Sequence, residues 1–467
     1  MFVNKEKSAE VQKLLDMCYK ICEKYSWLLD AYVSDFFVHE YWDKLPECWR
    51  KSLKDCKLET IGRIISLDES TEISEVLPLS MLALRQSIKY LQIPRKQQTI
   101  NIDETCQKGP NHSLCDKNIF SVNHFRNVFW KRVKLKKKHE IELMSKMCYK
   151  LATKTNCYYI IDVGSGIGHL SRMLSYGYGL KVCGLEAQEY LTEEANKLDQ
   201  EMEHALKKYC NETPTKYVKP IHVNMRVKTN SNGEDILKTV EEAFSIKSDD
   251  LQFGIVGLHP CGDLGATLLR LFIKYPQVKF INIVGCCYMK LSEPTSSLNA
   301  GYPLSSFCKQ KNYKLSYASR EVACHALEAY VDKLNSNEYW QLKIHAYRAV
   351  LEKLIVDEWP DLFHSQVNSV KYHENLSFSE YCFKAISKLG IKLNKAKVES
   401  NETEKYLKDW NYVVIFYSLR LMIAPLVETI IMLDRILFIL ESDYACGVTS
   451  IFDPQLSPRN QILTAIK

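Results

Sequence analysis

The stretch that most restricts the fold runs from Tyr158 to Glu186, YYIIDVGSGIGHLSRMLSYGYGLKVCGLE. It opens with an apolar run, Tyr158 to Val163, of a length suited to a buried strand. A turn containing Gly164, Gly166 and Gly168 follows, then a helical segment from His169 to Ser175. A second apolar run, Leu180 to Leu185, ends on Glu186. Strand, glycine turn, helix and strand in this order predict the opening unit of a parallel, nucleotide-binding sheet. Glycines in such a turn let backbone N–H groups approach a ligand, because no Cβ intervenes. An acid at the end of the second strand is placed to accept hydrogen bonds from ribose hydroxyls.

The dinucleotide fingerprint G-x-G-x-x-G would put its third glycine at position 169, where this chain has His169. The third glycine is Gly168 instead, giving G-x-G-x-G preceded by Asp162. That pattern resembles the first motif of class I S-adenosylmethionine-dependent methyltransferases.

A second informative stretch, LQFGIVGLHPCGDLGATLLRLF, runs from Leu251 to Phe272. Phe253 to Leu258 predicts a buried strand, with His259, Pro260, Cys261, Gly262 and Asp263 just past its carboxyl end. Val278 to Val284 predicts another strand, followed by Gly285, Cys286, Cys287 and Tyr288. In open α/β sheets, ligands lie outside the carboxyl ends of the strands. Both clusters are therefore expected at the same cleft as the glycine turn. Tyr217 to Asn224 is a third candidate strand, and Val448 to Phe452 with Gln461 to Ile466 predict a closing antiparallel pair.

The flanking sequence reads as helix. Val11, Leu14, Leu15, Cys18, Cys22, Tyr25 and Leu29 recur at helical steps within residues 8–38, and Leu58 to Leu91 continues the pattern. The expected organisation is a helical N-terminal domain over 1–93, a loop or linker over 94–126, and an α/β domain over 127–467 with a helical insertion near 335–410. Tyr412 to Leu440 is strongly apolar, yet Arg420, Pro425, Glu428, Asp434 and Arg435 interrupt it. Charges at a bilayer centre cost a few kcal/mol each, so a buried helix is expected rather than a membrane span.

Lys131, Arg132, Lys134, Lys136, Lys137 and Lys138 form a basic run ahead of His139 and Glu140. It reads either as a solvated helix face or as a phosphate-tracking patch for RNA. The net charge of +6 permits an acidic partner without demanding one. The 17 cysteines include no C-x-x-C pair and no Cys/His zinc spacing, so no metal is expected. Reduced thiols in a cytoplasmic or nuclear protein are the simplest reading.

The chain is identified as resembling the methyltransferase-like twenty-five family, whose close relative is named for a ribosomal RNA adenine dimethylase domain. The matching segments are YVSDFFVHEYWDKLP, KKKHE, IIDVGSGIGHLSR with GLE, GLHPCGDL, VGCCYMKL, GYPLS, SREVACHA, YRAVLEKL, APLVETIIMLDRILF and FDPQLSPRN. The resemblance implies a class I methyltransferase sheet, Rossmann-like, with S-adenosylmethionine as cofactor. It implies a cofactor site at Asp162, Gly164, Ser165, Gly166, Gly168 and Glu186. Asp162 would serve the methionine amino group and Glu186 the ribose. HPCGD and GCCY also resemble a transfer-RNA ribose methyltransferase group, which has H-L-C-G-x-A-T-D-L where this chain has His259-Pro260-Cys261-Gly262-Asp263-Leu264. His259 and Asp263 are candidate bases, and Cys287 and Tyr288 candidate pocket residues. Adenine-N6 methyltransferases carry an Asx-Pro-Pro-aromatic motif where this chain has LHPCGD. RNA, protein and small-molecule acceptors stay open, as does a non-catalytic cofactor-binding scaffold.

Overall fold

A computed structural model describes residues 2–68, 71–100, 123–209, 218–229, 233–247, 250–294, 299–336, 339–371 and 373–467. The chain forms two compact units, one of residues 1–16, 93–314 and 429–467, the other of 17–92 and 315–428.

The first unit is built on a sheet of β1 (Phe2–Val3), β2 (Tyr159–Val163), β3 (Lys181–Glu186), β4 (Ile221–Asn224), β5 (Phe253–Leu258), β6 (Val278–Val284), β7 (Ala445–Ser450) and β8 (Gln461–Ile466). Its spatial order is β1-β7-β8-β6-β5-β2-β3-β4. Strands β2 to β6 are parallel. The late strand β8 runs antiparallel between β6 and β7. Five parallel strands closed by an antiparallel pair give the class I methyltransferase arrangement that the sequence predicts. The short edge strand β1, which pairs with β7, lies in a stretch whose polar composition gives no strand signal.

Helices α1 (Leu135–Lys154), α2 (His169–Arg172), α3 (Glu189–Tyr209), α4 (Glu234–Phe244) and α5 (Asp263–Lys274) belong to this unit. Ile141, Met144 and Cys148 of α1 enter one core with Ile160, Val256 and Phe280 of the sheet. The helix read from His169 to Ser175 stops at Arg172 and passes into a π-helical turn, Met173–Gly177. The expected third strand begins only at Ile221, and Tyr217 lies outside the described residues. So do residues 101–122 of the expected linker.

Helix α6 (Trp410–Leu440) continues through Pro425 and is buried over most of its length. Among the described residues, no helix is long and apolar enough to cross a membrane. In the second unit, Arg420 of α6 donates from Nε to the Leu29 carbonyl at 3.0 Å and from Nη2 to that of Ala318 at 2.8 Å. In the first unit, Asp434 accepts from the Leu304 and Ser305 amides and the Ser305 hydroxyl at 2.7–2.9 Å. Arg420 and Asp434, two of the charges that interrupt the apolar run, are thus buried and hydrogen-bonded. The helix expected over 8–38 breaks into Ser8–Lys24, Ser26–Leu29 and a 3-10 turn, Val33–Asp35.

Candidate active site at the carboxyl ends of the strands

Strands β6, β5, β2 and β3 are neighbours in the sheet, so their carboxyl ends bring Val284, Leu258, Val163 and Glu186 into one row. Every candidate site residue follows one of these ends or lies within it.

The glycine turn crosses from β2 to α2. Gly164 and Gly166 have φ of 74° and 58°, and a Cβ built on either would meet nothing within 4 Å. These two positions leave an open backbone surface. Gly168 differs: its Cβ would stand 2.4 Å from His222 Cε1 and 3.2 Å from Arg172 Nη1. Its glycine is required by the protein's own packing. Glu186 accepts from the Gly166 amide at 2.9 Å through Oε2 and from the Gln188 amide at 3.0 Å through Oε1. The acid therefore fixes the turn from below and presents a carboxylate in one orientation. A carboxylate has about four lone-pair sites, so two amides leave it room for ribose hydroxyls. The buried Ser165 hydroxyl has no hydrogen-bond partner.

Asp162, buried beneath the turn, accepts from the Ser171 hydroxyl at 2.7 Å. Burial pushes its carboxyl up to about 6, against the pull of Ser171, His222 and Lys137. The turn is also held by Arg172, which donates from Nη2 to the Ile167 carbonyl and from Nη1 to Asp199 Oδ1 at 2.9 Å. Asp199 Oδ2 lies 3.0 Å from His222 Nε2. Sequence reading missed this buried Arg172–Asp199–His222 chain. Its one signal is an acid on the inward face of the long charged helix α3.

Beyond β5, His259 holds a left-handed backbone, φ 67°, and its Nε2 lies 3.0 Å from Glu140 Oε1. Glu140 is buried and accepts from the Ser457 hydroxyl at 2.6 Å. Burial raises its pKa, but the His259 hydrogen bond and charge, Ser457 and Lys136 outweigh burial and hold it below the ordinary carboxylate range. An ionised carboxylate only accepts, so Nε2 carries a proton, and in the neutral ring Nδ1 is the acceptor. Nδ1 is buried with no hydrogen-bond partner. Glu140 was part of the KKKHE segment, but its pairing with His259 spans 119 positions and no local spacing reports it.

Asp263 opens α5, and its Oδ1 accepts from the Ser292 amide at 2.8 Å. That oxygen holds the loop after β6. Tyr288 is buried, with the Arg435 guanidinium 5.8 Å from its ring centroid. Cys287 is half-buried, and its sulfur lies 3.5 Å from those of both Cys286 and Cys261. The Cys261 and Cys286 sulfurs are 3.1 Å apart. Hydrogen bonds from Cys286 and then Cys287 pull the Cys261 thiol below its ordinary range, although burial opposes them. The sequence reading, which judged thiols by spacing along the chain, did not bring these three together.

The basic run is largely engaged with the protein's own acids. Lys131 pairs with Glu201 at 3.0 Å, Arg132 with Glu194 at 3.1 Å, Lys136 with Glu140 at 3.7 Å and Lys138 with Glu142 at 3.9 Å. Lys136, Lys137 and Lys138 all lie in the first turn or so of α1, where no acid stands.

Residues 136–294 match the family described as a methyltransferase domain. The chain is similar to the probable methyltransferase-like protein 25 of Mus musculus, 23% identical over 94% of this chain and 93% of that one. The Homo sapiens protein of the same description is 24% identical over 71% of this chain and 74% of its own. A solved structure, the plantazolicin methyltransferase BpumL in complex with SAH, is 12% identical and covers 70% of this chain and 93% of its own. Its TM-score of 0.21 is too low for an argument to rest on it.

Proposed function

We propose that this chain, similar to the probable methyltransferase-like protein 25 relatives over most of its length, is an S-adenosylmethionine-dependent methyltransferase working from the glycine turn. The open backbone at Gly164 and Gly166, above a carboxylate fixed by two amides, carries this reading. The methionine half of the cofactor lies along Gly164, Ser165 and Gly166, and Glu186 takes the ribose hydroxyls. When bound, the cofactor supplies an electrophilic methyl group on a positively charged sulfur.

This chain's residues supply position and proton control. Holding acceptor and donor in line removes much of the entropic barrier. His259, oriented by Glu140 through Nε2, offers Nδ1 as the general base where the acceptor carries a proton. Asp162 faces burial that favours its protonated form. A cationic amino group beside it would restore the charged form, so cofactor affinity should rise as pH increases through about 6. The acceptor favoured by charge is RNA. Three lysines in the first turn of α1 oppose the helix dipole, an arrangement that a phosphate would relieve.

Titration calorimetry with S-adenosylmethionine and S-adenosylhomocysteine tests the cofactor assignment. Gly166→Val fills the open surface at a left-handed backbone position and should abolish binding. Glu186→Ala should weaken it by roughly 1.5–3 kcal/mol. Wild-type affinity in both variants would overturn the site. Transfer of labelled methyl into a cell extract, followed by RNase or protease digestion, tests the acceptor. Label that survives RNase and yields to protease would replace RNA with protein.

A further inference from the structure

The thiols of Cys261, Cys286 and Cys287 come from two different turns, after β5 and after β6, yet their sulfurs lie 3.1–3.5 Å from one another. Cys261 is exposed and the other two are half-buried, so the cluster is open to solvent on one side. No fourth His, Cys, Asp or Glu donor completes the group among the described residues. Uncharged thiols are weak hydrogen-bonding groups and gain little from gathering three deep.

A second, independent feature lies beside the cluster. Arg435 of α6 is buried, and its Nε and Nη1 have no hydrogen-bond partner. Nη1 stands 2.6 Å from the place a Cβ of Gly285 would occupy, immediately before Cys286. A buried guanidinium is costly unless negative charge stands near it. Asp434, its sequence neighbour, is already engaged by two amides and a hydroxyl. Three thiolates around a divalent ion carry a net charge of about −1 by simple valence, which would add to the negative charge that Asp434 and Asp263 already set near Arg435.

We propose that Cys261, Cys286 and Cys287 form a thiolate site for a divalent ion of the zinc class. Zn–S bonds of about 2.3 Å at tetrahedral angles place sulfurs about 3.8 Å apart. The observed separations lie about 0.3–0.7 Å inside that, a change that side-chain rotation at Cys261 and Cys287 can supply. Three sulfur ligands leave one tetrahedral position for a ligand from outside the cluster. Sites with three protein ligands and an open fourth position are those used for chemistry, whereas structural zinc sites are closed by four. The open position therefore takes water or an acceptor's lone pair at the row of strand ends. The site stands or falls apart from the cofactor assignment, because none of its ligands lies in the glycine turn.

The test uses the full reduced chain, freed of metal by chelation, and Cd²⁺ as a spectroscopic probe for the thiolates. One equivalent should produce sulfur-to-metal charge-transfer absorption, and Zn²⁺ should compete for the same site. Cys261→Ser, Cys286→Ser and Cys287→Ser should each weaken Cd²⁺ binding by roughly 10- to 100-fold or more. The exposed Cys48 serves as the control, and Cys48→Ser should leave the titration unchanged. As a readout that needs no variant, Zn²⁺ should slow iodoacetamide labelling of these three cysteines, followed by peptide mass spectrometry, and leave Cys48 labelling unaffected. Absence of the band, a band that survives in all three variants, or unprotected labelling would overturn the proposal. A Cys261–Cys286 disulfide that persists in the chelated, reduced chain would do so as well.

Discussion

His259 holds a backbone conformation that only a few per cent of non-glycine residues adopt, and it does so at a strand end facing the site. Strain of this kind persists where surrounding contacts over-determine it, and here the Glu140 contact does so. If Nδ1 acts as base, His259→Ala should lower single-turnover methyl transfer by roughly 10²–10⁴ while leaving cofactor titration near normal. Glu140→Gln should lower turnover less, because it keeps a hydrogen-bonding side chain but permits the wrong tautomer. Asp263→Asn should act differently. Its Oδ1 holds the Ser292 amide, so the expected effect is a lower melting temperature with turnover per folded molecule retained. A turnover loss in Asp263→Asn matching that of His259→Ala would return Asp263 to the role of base. Asp162 gives a pH prediction. Its folded pKa, about 6, lies above that of the unfolded chain. Folding therefore binds a proton between roughly pH 4 and 6, and stability falls as pH rises through that window. Asp162→Asn should gain on the wild type over the same range in thermal melts at increasing pH, without cofactor. At this scale, the placement of Asp162, Gly164, Gly166 and Glu186 at the ends of β2 and β3 was legible because one local stretch holds them all. Glu140 was not, because its role exists only through a residue far along the chain.

At the scale of elements, the glycine turn is only as well placed as the helices that hold it. Arg172 ties the Ile167 carbonyl to Asp199 of α3, and both partners of that ion pair are fully buried. Removing one side of a buried pair leaves an uncompensated charge, which costs about 3–5 kcal/mol. Arg172→Met should therefore lower the unfolding free energy by that order in denaturant titrations. It should also weaken cofactor binding, although Arg172 is not assigned to touch the cofactor. A variant of unchanged stability would mean that Asp199 and His222 satisfy one another alone. Strands β5 and β6 were legible to the residue because both are short, largely apolar runs, β6 interrupted only by Lys279 and Asn282, the mark of a strand buried on both faces. Strand β1 was hidden, since two residues are too short for any period to register. The π-helical turn after Arg172 was likewise hidden, because its pattern of apolar residues is that of an ordinary helix.

At the scale of the whole molecule, the second unit is assembled from residues 17–92 and 315–428. Within it, Trp42 stacks on Tyr412 at 4.2 Å, Tyr41 stacks on Phe416 at 5.0 Å, and Arg420 caps the Leu29 carbonyl. A fragment of 17–92 alone would expose those aromatic faces. It should give a collapsed amide NMR spectrum, and co-expression with 315–428 should restore dispersion. A well-dispersed spectrum from 17–92 alone would contradict this. The helical character of 17–92 was legible from apolar periodicity, but its partnership with 315–428 was not, since periodicity shows that a face is buried and never against what. The sheet of the first unit carries a further consequence for synthesis on the ribosome. Strand β8 is made last, yet it lies between β6 and β7. At roughly 5–20 residues per second, the edge of β6 waits on the order of ten seconds or more for its neighbour to emerge. Throughout that interval the nascent chain presents an open apolar strand edge, the kind of surface that recruits chaperones or other strands. A nonsense codon just before Gln461 would make that transient state permanent, so loss of the six residues of β8 should behave as loss of the entire domain.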